Sequence, residues 1–153
     1  MIFVTHAIPV NEPGHPVITR EMLWDGLVQK ANNALPFVPS MTDCVVTGRL
    51  SDTVFDRDIV YRGQAFSERI TLEEPHRVVF TRTAGPVLGT IANEIEGEGP
   101  DLLLRFSFAL VVAGEPGGSA GEQQHADQMT DGYRAAVAAT LDAVRRIAGG
   151  ATV

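Results

Sequence analysis

The sequence is poor in the groups that usually advertise chemistry. It has one cysteine, Cys44, among 153 residues. No internal disulfide can form and no cysteine-based zinc cluster can assemble, and the expected setting is a reducing compartment, the cytoplasm. The histidines, His6, His15, His76 and His125, show neither HxxxH nor HxH spacing, so no metal is expected. There is no GxSxG elbow, no GxxxxGKS/T phosphate loop, and no GxGxxG turn after a strand. These absences weigh against hydrolase triads, nucleotide binding and metal catalysis, and no cofactor is expected. Lysine is nearly missing: Lys30 stands alone against 11 arginines, so any Schiff-base chemistry would have to use it. The opening segment, Met1 to Pro16, has no basic start and no long apolar run, so no signal peptide is expected. The longest apolar stretch, Leu102 to Ala113, is broken by Arg105 and Ser107, and no membrane insertion is expected. A formal charge of −7 disfavours a nucleic-acid partner, which would need a basic face.

What is present reads as one domain over residues 1–153, long enough to bury a core unaided. Residues 2–10 have a strand pattern, and Pro13 and Pro16 make an extended connector. Thr19 can cap a helix running to about Asn33, with Leu23, Trp24, Leu27, Ala31 and Ala34 on one face. Leu35 to Met41, carrying Pro36 and Pro39, suits a tight turn or a short second helix. Six strands follow, at 43–50, 53–61, 64–72, 77–84, 88–96 and 102–113, with connections short enough to be hairpins. Gly114 to Gly121 is a flexible loop. A last helix begins near Ser119 or Glu122, where SAGE fits a capping box, and ends at Gly149-Gly150. Its apolar stripe comprises Ala126, Met129, Tyr133, Ala136, Thr140, Val144 and Ile147. Such a stripe needs an apolar partner, and the concave face of the sheet is the only large one available. The middle of the stripe is small or polar, at Ala136 and Thr140, where a filled core would prefer Leu or Ile. The expected fold is therefore α+β, a curved antiparallel sheet of about seven strands around a long C-terminal helix, with a cavity between them.

Strand register says what lines that cavity. A two-residue turn at Arg62-Gly63 sets Phe55 opposite Ile70, Ile59 opposite Phe66, and Arg57 opposite Glu68, all on one face. Asp56, Asp58, Arg69 and Thr71 fall on the other, wetted face. A loop at Glu98 to Asp101 sets Ile95 opposite Leu104, Asn93 opposite Phe106, and Ile91 opposite Phe108. Glu94 and Arg105 then pair on the outer face as an exposed ion pair. Arg57, Glu68 and Asn93 thus fall among apolar neighbours. They are either a self-satisfied cluster that sets register or polar anchors for a ligand. Tyr61, Phe66, Phe106, Met129, Tyr133 and Thr140 join them as candidate ligand-binding residues. Trp24 is expected as a core anchor, Cys44 as a small hydrophobe, and Lys30 as a side chain that snorkels to solvent.

Several segments together resemble one family: TREMLWDGLVQK at 19–30, FVPSMTDC at 37–44, Arg57, SERITL at 67–72 and NEI at 93–95. In this order they are similar to the AtaL-like branch of the START/birch-pollen-allergen superfamily, the SRPBCC proteins. The resemblance spans nearly the whole chain. It implies a helix-grip fold with a deep cavity, in a superfamily whose members bind lipids, hormones and polyketides or act as cyclases, aromatases and dehydratases. Its namesake is associated with a fungal natural-product gene cluster. Trp24, Arg57, Glu68 and Asn93 match the branch pattern, while the 114–121 loop departs from shorter relatives. Three functions follow as expectations. The first is binding of a small hydrophobic or amphipathic molecule by a monomer or homodimer. The second is a cofactor-independent polyketide-type cyclase, dehydratase or isomerase, with Glu68 as acid/base and Arg57 or Asn93 steadying an enolate. The third is a partner-binding protein with a filled core.

Overall fold

A computed structural model describes residues 1–149. It contains seven strands: β1 (Ile2–Pro9), β2 (Met41–Arg49), β3 (Val54–Tyr61), β4 (Gln64–Glu73), β5 (Arg77–Ala84), β6 (Val87–Glu96) and β7 (Leu103–Val112). All pair antiparallel in the order β1-β7-β6-β5-β4-β3-β2. Helix α1 (Arg20–Asn32) follows β1, and helix α2 (Ala120–Ala148) closes the order. The run after α1 forms tight turns rather than a second helix: Phe37 and Val38 both donate to Ala34 O.

Local chemistry explains the ends of these elements. Thr19 Oγ1 accepts from Met22 N at 3.2 Å, capping α1. The Arg62-Gly63 hairpin turn has positive φ at both residues, 49° and 76°, the backbone hand that matches strand twist. Ser119 caps α2 by accepting from Glu122 N at 3.1 Å. Glu122 does not complete a capping box. Its carboxylate instead takes the amino group of Met1 at 2.8 Å and Gly118 N at 3.1 Å, which ties the start of β1 to the start of α2. At the other end Gly149 N donates to Arg145 O at 3.0 Å; Gly150 lies outside the described residues.

The register follows the alternation. Phe55 faces Ile70, Arg57 faces Glu68 and Ile59 faces Phe66, while Asn93 faces Phe106. The outer ion pair differs from expectation. Glu94 is opposite Arg105, yet Arg105 Nε donates to Glu96 Oε1 at 2.9 Å and its Nη1 reaches Thr5 Oγ1 at 3.0 Å. Strand twist brings the diagonal neighbour within reach of a long side chain, so position alone does not choose the partner.

The core fills the concave side of the sheet, where Leu23, Leu27, Phe55, Ile70, Leu104, Val137 and Val144 are almost wholly buried. Helix α1 lies against α2 at Gly26, where an added Cβ would sit 2.6 Å from Val144 Cγ2. An alanine in a helix usually gains about 1 kcal/mol over glycine. Here overpacking against a stiff, buried β-branched side chain costs about 1–3 kcal/mol. Gly26→Ala is therefore expected to lower the urea midpoint, and adding Val144→Ala should recover part of that loss. A Gly26→Ala protein as stable as the parent would mean the helices can slide apart freely.

Candidate functional site

Between the sheet and α2 lies a cavity of about 470 Å3, within the range of small-molecule sites. The sheet lines it with Ile59, Phe66, Phe80, Ile91, Phe106 and Phe108, and α2 with Met129, Tyr133 and Ala136. Polar side chains share this apolar wall, among them Lys30 from α1, Arg57 from β3, Glu68 from β4, Arg82 from β5 and Asn93 from β6. Alternation in the strands turns the last four to the concave face, and each lies next to large apolar neighbours on the same face.

Arg57 is committed to the fold. Its Nε donates to Glu68 Oε1 at 3.0 Å, and its Nη2 sits 2.9 Å from the same oxygen. Its Nη1 donates to the carbonyls of Lys30 and Ala31 at 3.0 and 2.9 Å. Those carbonyls end α1, so a cation satisfies them and favours the helix dipole. Glu68 is also engaged at both oxygens, since Oε2 faces Arg82 Nε at 3.5 Å. The Arg82 guanidinium lies over the Phe66 ring, 4.1 Å from its centroid, a cation–π arrangement.

Lys30 does not snorkel to solvent. It is 6% exposed, and its Nζ donates to Asn93 Oδ1 at 2.9 Å. The ammonium lies 4.3 Å from the centroid of Phe106 and 5.7 Å from that of Phe80. Burial, then the positive charge of Arg57, hold the amine down to about 7, with Glu68 pulling the other way. The pattern of α1 places Lys30 at the edge of its apolar stripe, but the side chain turns inward over Phe106 and Phe80 instead of outward to water.

The remaining candidates divide. Tyr61, Phe66, Phe106 and Met129 all line the cavity. Tyr133 lines it too, but its hydroxyl donates to Phe106 O, with His6 O at 3.4 Å. Its ring packs edge-on to Phe108 at 4.3 Å, and burial pushes the phenol up to about 12. Thr140 does not reach the cavity. It is fully buried beyond Ala136, and its hydroxyl has no partner among the described residues. There Val144 of α2 meets Gly26 of α1, with Val137 and Leu141 buried in the same core. Trp24 is 5% exposed in the core, as expected. Cys44 is half-buried, and its Sγ accepts from Ala34 N at 3.5 Å.

Two cavity residues, Lys30 and Arg82, escaped the reading of the sequence. Arg82 had a signal. The β4–β5 hairpin turns at Glu74-Pro75 and sets Ile70 opposite Phe80 and Glu68 opposite Arg82, by the same alternation that located Arg57. Lys30 had only its rarity.

A curved seven-stranded antiparallel sheet gripping a long C-terminal helix over an internal cavity is the helix-grip fold. Within it the chain belongs to the AtaL family, described as acetylaranotin biosynthesis cluster protein L, which it matches over residues 4–150. Solved structures share the fold at low identity. The Zhui aromatase/cyclase from Streptomyces sp. R1128 is 16% identical, with 98% of each chain covered and a TM-score of 0.66. A START superfamily protein from Mycobacterium smegmatis is 15% identical, with 93% of this chain and 98% of that one covered and a TM-score of 0.62. The di-domain ARO/CYC StfQ from the steffimycin biosynthetic pathway is 10% identical, with a TM-score of 0.67, covering 94% of this chain and 50% of that one. No curated protein matches significantly. Among the described residues, no helix is long and apolar enough to cross a membrane.

Proposed function

We propose that this domain binds a small hydrophobic or amphipathic organic molecule in the cavity between the sheet and α2. The observation that carries this reading is the cavity itself: about 470 Å3 of mostly apolar wall with a few polar groups gathered on it, the composition of a small-molecule site. A protein with a filled core would not keep such a space, because interiors pack to the density of organic crystals. Structural likeness to the Zhui aromatase/cyclase and to ARO/CYC StfQ supports a polycyclic or polyketide-like occupant.

The test uses N-phenyl-1-naphthylamine, a neutral probe that fluoresces in apolar surroundings. The parent protein should bind it, and Ala136→Trp, which fills the cavity from α2, should weaken binding at least about tenfold while the far-ultraviolet dichroism is unchanged. Equal binding by both proteins would put the ligand elsewhere. Native mass spectrometry of the freshly purified protein would then identify any carried molecule.

A second reading, a cofactor-independent cyclase or isomerase, has one observation in its favour. The amine of Lys30, held down to about 7, can accept a proton inside the cavity near neutral pH. Glu68, the base expected from the sequence, suits that role less well, because arginine donors engage both of its oxygens.

A further inference from the structure

The polar groups on the cavity wall are unbalanced in two ways, and both point to the ligand. The first imbalance is charge. Lys30, Arg57 and Arg82 stand against a single carboxylate, Glu68, and among the described residues no other acidic side chain lines the cavity. Arg62 and His125 add further basic groups to the same lining. An excess of positive charge in an apolar enclosure is costly unless something answers it.

The second imbalance is hydrogen bonding. Glu68 is saturated by Arg57 and Arg82. Asn93 Oδ1 is taken by Lys30. Asn93 Nδ2 is left buried with no partner among the described residues. Lys30 spends one donor on Asn93 and offers the others to ring faces. The unused capacity of the Lys30–Asn93 pair is therefore donor capacity.

We propose that Lys30 and Asn93, backed by Arg82, form an oxyanion subsite in the cavity wall, and that the occupant is an apolar molecule carrying one acidic oxygen group, bound as its anion. This rests on the ligand-binding reading above and names the class of ligand. The surroundings of Lys30 agree with it from every side. Strand β3 supplies Arg57, β4 Glu68, β5 Arg82 and β6 Asn93, whereas β2 and β7 bring only apolar side chains to the cavity. Helix α2 supplies Tyr133, which burial keeps protonated, and His125, the β3–β4 turn supplies Arg62, and β1 has His6, whose ring lies 6.5 Å from that of Tyr133. None of these brings a second negative charge to the amine. Burial and Arg57 hold the Lys30 amine down to about 7, so without a counter-anion it is only partly protonated at neutral pH. A bound anion reverses that balance, so binding and protonation reinforce each other.

The test is displacement of N-phenyl-1-naphthylamine by naphthalene, 2-naphthol and 2-naphthoate at pH 6 and pH 9. At pH 6, 2-naphthoate should displace at a concentration about tenfold or more below naphthalene. That advantage should shrink by about tenfold at pH 9, where Lys30 has lost its proton, while naphthalene is unchanged. Lys30→Met should abolish both the advantage and its pH dependence and leave naphthalene as before. If that variant does not fold, Lys30→Gln, which keeps a donor for Asn93 Oδ1 but has no titrating amine, should lose the same advantage and so separate Lys30 from His125 on the same lining. If the three compounds displace equally at both pH values, the oxyanion subsite is overturned and the cavity reading stands. If the neutral probe itself does not bind, the cavity reading falls and this inference with it.

Discussion

Glu68→Gln should destabilise the protein by about 3–5 kcal/mol, the usual result of removing one partner from a buried ion pair. Glu68 is 3% exposed and is the only carboxylate between Arg57 and Arg82. Glutamine keeps the shape and one acceptor oxygen but leaves the guanidiniums, and Lys30 beyond them, without a counter-charge. Arg57 also holds the last carbonyls of α1, so the loss should spread to the docking of that helix on the sheet. Urea unfolding at pH 7 measures the total, and hydrogen exchange of the α1 amides measures the spread. A loss below about 1 kcal/mol would mean that water already screens the cluster. If the folded variant still binds the neutral naphthylamine probe, Glu68 serves the architecture rather than the ligand.

Lys30→Met should have the opposite sign at neutral and acid pH. In the folded protein burial holds the Lys30 amine at about 7, against an ordinary value of 10.5. Below pH 7 the amine is charged in both states, and the folded state bears the full penalty of burying it. Between about pH 7 and pH 10.5 the unfolded chain holds the extra proton, so the penalty shrinks as pH rises and is gone near 10.5. The displacement corresponds to roughly 4–5 kcal/mol at its fullest. Removing Lys30 also strips Asn93 Oδ1 of its donor, which costs about 1–3 kcal/mol. The net gain for Lys30→Met at pH 7 and below is therefore about 1–4 kcal/mol, shrinking as pH rises and reversing between about pH 8 and pH 10. Paired denaturant curves from pH 6 to pH 10 would show it. A difference between the two proteins that stays flat with pH would mean that the amine reaches water after all. A side chain that destabilises its own protein at neutral pH is retained for something other than stability, which is why its presence in the cavity wall supports a role toward the ligand.

Much of the architecture was legible before any coordinates. Strand alternation has a period of two, so once the turn at Arg62-Gly63 is recognised, every side chain of β3 and β4 is assigned to one face or the other. That rule alone put Arg57 opposite Glu68 and turned both toward the apolar side. The same rule, applied to the next hairpin, would have found Arg82. Thr19 and Ser119 marked where the helices begin, because orphan backbone donors need a nearby acceptor.

Helix flanks were less legible. Lys30 lies beside the apolar stripe of α1, and a helical wheel offers such a residue two fates, outward into water or inward beneath the helix. The choice depends on how α1 is rotated against the sheet, which is set by Gly26 meeting Val144 and by Arg57 gripping the last carbonyls. Thr140 shows the converse: its stripe was right, but the cavity ends before reaching it, where α1 packs against α2. Arg105 shows the limit on the outer face, where twist handed a long side chain to Glu96 rather than Glu94.

The sequence by itself determined the α+β order, the strand register and the burial of an Arg–Glu pair on the concave face, because turns and period-two alternation are local and leave two choices at each residue. Only the tertiary structure decided that Lys30 joins that pair, that Tyr133 gives its hydroxyl to the backbone, and that the cavity stops short of Thr140. Those outcomes depend on distances between elements far apart in the chain, which no local pattern contains.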